Sequence, residues 1–204
     1  MKIDWLGHDA TRITSDNLVI YFDPYKIGNA PPADIILISH DHYDHLSPVD
    51  IEKLLKDDTV IVAPPECTPP RPQEKIAAGE KITVRGIEIE AVPAYNIGKD
   101  FHPKAAGGLG FIIQVEGKRI YHAGDTDLIP EMDGIQCDIA LLPVSGTYVM
   151  TAKEAAEAAR RIKPEKAIPV HYGAGVVGTV EDAKTFASLL KDSGIDVEIK
   201  EKVE

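Results

Sequence analysis

Two runs of the sequence are apolar at every position, and they constrain the fold more than any other feature. The runs are Ile35-Ile36-Leu37-Ile38 and Ile139-Ala140-Leu141-Leu142. A strand with one face in water alternates apolar and polar residues, whereas a strand covered on both faces is apolar throughout. We therefore expect both runs to be strands that lie inside a layered structure.

Short strands separated by turn residues dominate the first two-thirds of the chain, with hairpin turns predicted at residues 15–17, 85–86 and 116–118. The predicted strands are Lys2–Leu6, Thr11–Thr14, Leu18–Phe22, Ile35–Ser39, Val60–Ala63, Lys81–Val84, Ile87–Val92, Gly110–Val115, Arg119–His122 and Asp138–Pro143. The proline-rich run 64–72 is interpreted as a stiff surface connection, because strand signals continue beyond it.

Helices alternate with strands later in the chain. Helix starts are predicted at the cap residues Ser47, Thr151 and Thr179, where Thr151 and Glu154 form a capping-box pattern. The second helix is expected to end near Lys163, and the third to bury Phe186, Leu189 and Leu190 and stop at Gly194; strands Lys166–Val170 and Val197–Lys200 follow. This order predicts an α/β fold of two mixed sheets packed together with helices outside, in one domain over residues 1–204.

Charge and composition exclude several classes of partner. The net charge of −11 disfavours nucleic acid and anionic membranes, and no apolar run approaches the roughly 20 residues that a membrane span requires. The N-terminus is typical of a first strand rather than of a secretory signal. Cys67 and Cys137 form neither a metal-binding pair nor a disulfide framework, which predicts a cytoplasmic location.

The predicted strand Ile35–Ser39 leads directly into His40-Asp41-His42-Tyr43-Asp44-His45. Alternate residues of an extended segment point the same way, so His40 and His42 can reach one point while Asp44 and His45 lie beside it. Imidazole and carboxylate groups are suitable ligands for zinc, manganese or iron. At the end of a strand, this cluster predicts a metal site.

The motif His40-x-His42-x-Asp44-His45 resembles the signature of the metallo-β-lactamase superfamily. Gly124-Asp125-Thr126, Pro169-Val170-His171 and Leu6-Gly7-His8 match it in the same order along the chain. The last of these is similar to the branch that contains the L-ascorbate-6-phosphate lactonases and N-acyl-phosphatidylethanolamine phospholipase D. The resemblance covers nearly the whole chain and implies a four-layered αβ/βα sandwich with two divalent ions between the sheets, zinc first and manganese or iron as alternatives.

The resemblance also implies ligands and catalytic residues. His40 and His42 would hold the first ion, and Asp44, His45 and His171 the second. Asp125 would bridge both ions, and Asp44 and Asp125 would belong to the catalytic machinery. His122 or His8 would protonate the leaving group, although His122 is also interpreted as structural and His8 as a hydrogen-bonded core histidine. Asp23, in Phe22-Asp23-Pro24, is interpreted as a turn residue.

One ligand departs from the superfamily pattern. The third histidine of the first site in this branch sits in a Pro-Ala-x-His-like segment, which here is Pro93-Ala94-Tyr95-Asn96. Asn96 is one candidate to complete the site through its amide oxygen. His102, six residues further on, is the other, and we favour it because imidazole is the commoner transition-metal ligand.

The expected function is metal-dependent hydrolysis of an ester, lactone or phosphodiester bond in a small metabolite. Divalent ions lower the pKa of water from 15.7 toward about 7, so hydroxide is available at neutral pH to attack the substrate. A metal-binding sensor or scaffold without turnover is the alternative. A di-iron oxygen reductase is disfavoured, since that class carries a glutamate where His42 stands. The expected partner is a small-molecule substrate, and assembly into a homo-oligomer is left open.

Overall fold

The first of two sheets follows the chain in order from one edge to the other. The computed structural model describes residues 1–15 and 17–203. The strands of this sheet are β1 (Lys2–Gly7), β2 (Ala10–Thr14), β3 (Val19–Phe22), β4 (Ile35–Leu37), β5 (Val60–Ala63) and β6 (Gln73–Lys75). The pairs β1–β2 and β2–β3 are antiparallel, and the pairs from β3 to β6 are parallel. The sheet is therefore mixed.

The second sheet is mixed in the same way. Its strands are β7 (Lys81–Val84), β8 (Ile87–Pro93), β9 (Leu109–Val115), β10 (Lys118–His122), β11 (Ile139–Pro143), β12 (Lys166–Val170) and β13 (Asp196–Val197). They lie in the order β13-β12-β11-β10-β9-β8-β7. Hairpins join β7 to β10 in antiparallel pairs, and β10 to β13 pair in parallel.

Three α-helices and two short 3-10 helices complete the described structure. The α-helices are α1 (Pro48–Leu54), α2 (Ala152–Ile162) and α3 (Val180–Leu190), and the 3-10 helices are Lys104–Ala106 and Pro130–Gly134. Among the described residues, no helix combines the length and the apolar character that crossing a membrane requires.

The apolar run in β4 explains how the layers are held together. Ile35 and Leu37 belong to the main core between the two sheets, whereas Ile36 and Ile38 pack in a second cluster with Ile51 and other side chains near α1. On the far side, α2 and α3 pack against each other and against the second sheet. The predicted fold, two mixed sheets with helices outside, is confirmed, and the covered outer faces are the reason for the uninterrupted apolar runs.

The predicted helix starts agree with the structure. The Ser47 side chain accepts from the Asp50 backbone, and Thr151 and Thr179 each form a capping box. The prediction that Leu189 is part of the buried stripe of α3 is wrong, because its side chain is 40% exposed. Ala183 takes that place beside Phe186 and Leu190, which matches the helical repeat more closely. Gly194 has a φ of +80° but lies beyond the end of α3 rather than at its cap.

The strand predictions differ from the structure in two places. Strand β6 was not expected, since Gln73–Lys75 is short and polar; it pairs with β5 at the edge of the first sheet. The last strand was predicted at Val197–Lys200, but only Asp196–Val197 pairs with β12. The run 64–72 joins two paired strands, as expected of a connection. The hairpin turns at 85–86 and 116–118 are present; the third predicted turn includes Asp16, which is outside the described residues.

Candidate metal centre

The histidine cluster lies at the end of β4, and a buried aspartate fixes its backbone. One oxygen of Asp23 accepts a hydrogen bond from the Ser39 backbone nitrogen at 2.7 Å, and the other accepts from Ser39 Oγ at 2.6 Å. The second oxygen also lies 2.9 Å from Nδ1 of His45. Asp23 has a φ of +44°, so it makes a turn as interpreted from the sequence. Its carboxylate in addition orients one histidine of the cluster, a role that the sequence did not reveal.

One group of three imidazoles consists of His40, His42 and His102. One ring nitrogen of each lies within 4.8 Å of the other two. Nε2 of His102 is 3.2 Å from Nδ1 of His42. Nδ1 of His40 is 2.9 Å from Ser39 Oγ, whereas Nε2 of the same ring has no hydrogen-bond partner among the described residues. His102 therefore lies beside His40 and His42, where the family pattern places its third histidine and this sequence has Asn96 in the corresponding segment.

Asn96 contacts the backbone and Nδ1 of His102 and so orients one ring of this group. Its Oδ1 accepts from the His102 backbone nitrogen at 3.0 Å and lies 3.2 Å from Nδ1 of the same ring. Its Nδ2 donates to the backbone oxygen of Tyr148 at 2.8 Å. Because its amide oxygen already accepts a hydrogen bond from His102, Asn96 fits the role of a residue that orients a ligand rather than of a ligand itself.

A second group of imidazoles consists of His8, His45 and His171, again with one ring nitrogen of each within 4.8 Å of the others. His8 and His171 follow the ends of β1 and β12, which belong to different sheets, and backbone hydrogen bonds between 8 and 171–172 join the two ends. Both residues have left-handed backbones, with φ of +54° and +62°. This conformation is costly for a residue other than glycine and concentrates at functional sites.

Asp125 lies between the two groups. Its Oδ1 is 3.1 Å from Nε2 of His171 and 3.4 Å from Nε2 of His45. Its Oδ2 is 3.2 Å from the same nitrogen of His171, 3.3 Å from Nε2 of His102 and 4.0 Å from Nε2 of His40. One carboxylate thus faces histidines of both groups, which is the arrangement expected of a bridging ligand.

The loop that carries Asp125 depends on a glycine. Gly124 has a φ of +61°, and a Cβ at this position would lie 2.6 Å from the backbone oxygen of Leu109. Any other residue would therefore displace the loop from β9. The Gly-Asp pair that the sequence motif contains is explained by this close approach.

Asp44 and His8 form a buried pair at 3.0 Å between Oδ2 and Nε2. Asp44 also lines the cleft over the histidines, whereas His8 has no exposed surface. The His8 ring is therefore shielded from a bound substrate, and protonation of a leaving group directly by His8 does not fit this geometry. His8 instead holds the carboxylate of Asp44 in place.

His122 does not face the cleft either. Its Nε2 is 3.0 Å from the backbone oxygen of Asp9, its Nδ1 accepts from the Gly124 backbone, and its ring stacks on Phe22 at 4.7 Å. Both ring nitrogens of His122 make hydrogen bonds within the fold, so the structural interpretation of His122 fits and proton transfer to a substrate does not.

Asp9 is fully buried, and its carboxylate has no hydrogen bond from the described residues; burial raises its pKa.

The charges of the site are strongly coupled. Burial lowers the pKa of His40 well below its usual value, and the nearby His45 acts in the same direction. Burial also opposes protonation of His45, but the carboxylates of Asp125 and Asp23 raise its pKa well above the usual value. Burial alone would raise the pKa of Asp125, yet His171 and His45 hold it well below. The site thus concentrates histidines around an ionised carboxylate.

These residues fit divalent metal ions. Nε2 of His40 and Nε2 of His45 are buried and have no hydrogen-bond partner among the described residues, which is costly unless another group satisfies them. The opposite ring nitrogens of His40, His45 and His171 contact Ser39, Asp23 and Ser145. Such contacts fix the ring orientation of metal ligands and leave the other nitrogen free to bind an ion.

A cleft of about 240 Å³ opens beside the first histidine group. Its lining combines polar and aromatic side chains, namely His42, Tyr43, Asp44, Phe101, His102, Asp125, Tyr148 and Val176. A small ligand in this space would meet the rings of His42 and His102 and the carboxylate of Asp125. The supporting residues Asp23, Ser39 and Ser145 were not identified from the sequence as part of the site. Asp23 was interpreted as a turn residue and Ser39 as a strand end, and Ser145 is 26 residues from the histidine that it contacts.

Comparisons with known proteins agree with this fold. A family model described as a beta-lactamase superfamily domain matches residues 2–171. A UPF0173 metal-dependent hydrolase of Methanopyrus kandleri is 33% identical over 98% of this chain and 95% of its own length. The crystal structure of a proposed metal-dependent hydrolase from Parabacteroides distasonis is 37% identical, with a TM-score of 0.86 over 99% of this chain and 93% of that one.

The fold and the histidine groups define a protein of the metallo-β-lactamase superfamily. Within that superfamily, the chain belongs to the UPF0173 metal-dependent hydrolases. A relative from Thermus thermophilus with the same description is 31% identical and covers 96% of this chain. The expected metal-dependent hydrolase class is confirmed, and the lactonase and phospholipase D branch stays a prediction.

Proposed function

We propose that the protein hydrolyses an ester, lactone or phosphodiester bond in a small metabolite, with two divalent ions, zinc first, held by histidines of both groups together with Asp44 and Asp125. The observation that carries the proposal is the position of Asp125, whose two oxygens face His45 and His171 on one side and His40 and His102 on the other. A carboxylate shared in this way suits a pair of cations.

The ligands are those that the sequence motif predicts, with His102 in the place of the missing histidine. His40, His42 and His102 would hold one ion, and His45, His171 and Asp44 the other, with Asp125 between them. When bound, such ions lower the pKa of a water molecule and polarise the scissile bond. We propose Zn²⁺ because histidine-rich sites suit it, with Mn²⁺ or Fe as alternatives.

The remaining polar residues would orient these ligands. Asn96 fixes the ring of His102, and Ser145 contacts Nδ1 of His171 at 2.8 Å. His8 contacts Oδ2 of Asp44 and would keep this carboxylate directed toward the cleft. Rigid support of this kind keeps reacting groups in place, which is worth a large part of the rate in a positioned active site.

A panel of chromogenic substrates tests the proposal. Zinc-loaded protein is incubated with an aryl ester, an aryl-fused lactone and bis(4-nitrophenyl) phosphate, and the same assays are run with His40→Ala as the inactive match. We expect turnover of at least one bond class that His40→Ala lacks. Protein with its full zinc content that hydrolyses none of the three would contradict the proposal.

The sensor or scaffold alternative loses its main support in this structure. It rested on the missing histidine of the Pro-Ala-x-His-like segment. His102 brings an imidazole to His40 and His42, so that the group of three is complete.

A further inference from the structure

The outer wall of the cleft is aromatic. The rings of Phe101 and Tyr148 pack edge to face, with centroids 4.6 Å apart. Phe101 is 48% exposed and Tyr43, on the opposite segment, is 67% exposed. Large aromatic surfaces that face water beside a polar centre are typical of ligand sites, because they gain free energy when an apolar group covers them.

The cleft offers no side-chain cation. Neither the 240 Å³ cleft nor the smaller space next to it is lined by a lysine or arginine among the described residues. The lysines in neighbouring segments have other partners. Lys99 contacts Asp127 at 2.5 Å, and Lys104 contacts Glu131 at 2.7 Å. Lys26 donates to the backbone oxygen of Ala174 at 3.3 Å and lies over the ring of Tyr25; it keeps its charge but does not line the cleft.

This charge distribution separates the substrate classes. A phosphate or carboxylate group remote from the scissile bond is normally recognised by arginine, lysine or several backbone donors. Beyond the proposed ions, such a group would instead meet the carboxylate of Asp41, which lines the smaller space. The desolvation of an unpaired anion against an aromatic wall is costly, whereas an uncharged ring fits that wall.

We propose that the substrate is an uncharged carboxylic ester or lactone that carries an aromatic or bulky apolar group, which packs on Phe101, Tyr148 and Tyr43. This inference rests on the proposed hydrolytic function. In the reaction, the oxygen of water bonds to the carbonyl carbon and the carbon–oxygen ester bond breaks. One proton of the water goes to the leaving oxygen, and the other is released as the carboxylic acid ionises.

Two matched esters test the charge preference. Phenyl butyrate and 4-carboxyphenyl butyrate share the same acyl group and differ by one negative charge on the ring. We expect kcat/KM of the zinc-loaded protein to be about tenfold or more higher for the neutral ester, after correction for the uncatalysed rates. Equal values, or a preference for the charged ester, would overturn the inference and leave the hydrolase proposal standing.

A binding assay without turnover tests the aromatic wall. The affinity of 2-naphthol is measured by its fluorescence on the zinc-loaded parent protein and on zinc-loaded Phe101→Ala, with Val49→Ala as control. Val49 is 67% exposed and lies on α1, outside the cleft. We expect Phe101→Ala to weaken binding about five- to tenfold, and Val49→Ala to leave it unchanged. The zinc content and melting temperature of Phe101→Ala are compared with the parent, because Phe101 adjoins His102.

The outcomes distinguish the two proposals. Loss of naphthol binding in Phe101→Ala, together with preference for the neutral ester, supports both. Undiminished binding in a folded, zinc-competent Phe101→Ala overturns the aromatic site. Absence of ester and lactone hydrolysis by zinc-loaded protein that still binds naphthol overturns the ester or lactone assignment. The hydrolase proposal is overturned with it only if bis(4-nitrophenyl) phosphate is not hydrolysed either.

Discussion

Oδ1 of Asn96 accepts a hydrogen bond from the backbone nitrogen of His102 at 3.0 Å and lies 3.2 Å from Nδ1 of its ring. Asn96, which stands where the family pattern has a histidine, therefore contacts His102, a histidine six residues further along the chain. The loop between these two positions folds back, and the backbone of Asn96 also donates to the oxygen of His102 at 2.8 Å. We propose that His102, six residues further on, compensates for the departure from the family motif.

Asn96→Ala should weaken zinc binding at the first group about 10- to 100-fold, because contacts that orient a ligand histidine commonly contribute this much. Competition with a zinc-chelating dye measures the affinity. Ile97→Ala is the matched control, since that side chain is 55% exposed. Equal affinities for Asn96→Ala and Ile97→Ala would show that Asn96 does not orient His102.

Asp125→Asn should lower kcat/KM on the order of 1,000-fold or more, because a neutral amide cannot supply the shared negative charge and several kcal/mol of stabilisation are lost. Initial rates on the best substrate of the panel measure the change. The far-ultraviolet circular dichroism should stay the same. Asp133→Asn, 65% exposed on its side chain, is the control for a lost surface carboxylate. Full activity of Asp125→Asn would remove Asp125 from the site.

Chelation should lower the melting temperature of zinc-loaded protein by about 5–10 °C. A ligand at 100 times its Kd stabilises by about 2.7 kcal/mol, and each kcal/mol shifts the melting temperature of a chain this size by about 2–4 °C. Differential scanning calorimetry before and after dialysis against a chelator measures the shift. The double variant His40→Ala/His45→Ala should show none. An equal shift in that variant would place the stabilising ions elsewhere.

Phe186→Ala should cost about 3–5 kcal/mol of unfolding free energy, because the ring is fully buried between α3 and the second sheet. Leu189→Ala should cost less than about 1 kcal/mol, since the side chain is 40% exposed. Urea unfolding of both variants measures the difference. Equal losses would mean that α3 packs through Leu189 as the sequence pattern first indicated.

The parts of the fold that were predictable are those with local causes. Capping residues such as Thr151 satisfy backbone donors within one turn, and the apolar run at Ile35–Ile38 records burial on both faces of one strand. Strand β6 was missed because an exposed edge strand of three residues needs no apolar pattern, only a partner. Leu189 was misassigned because its helical spacing from Phe186 resembles that of the buried Leu190.

The histidines of the site were predictable for two reasons. His40, His42 and His45 are close together in one loop, and His8 and His171 lie in other segments that match the family pattern. Their supporting residues were not predictable, since Asp23 and Ser145 lie 22 and 26 residues from the histidines that they contact. The aromatic wall was missed for the same reason. Phe101 and Tyr148 meet only when the loops after β8 and β11 are brought to one edge of the two sheets.

The most direct measurement is the metal content of purified protein that has been loaded with Zn²⁺ and freed of excess ion by gel filtration. Inductively coupled plasma mass spectrometry should find two zinc ions per chain, and about one in His102→Ala, because that variant loses a ligand of the first group only. Retention of no stoichiometric divalent ion by the folded parent protein, with Zn²⁺, Mn²⁺ and Fe²⁺ each tried, would contradict the assignment of both histidine groups.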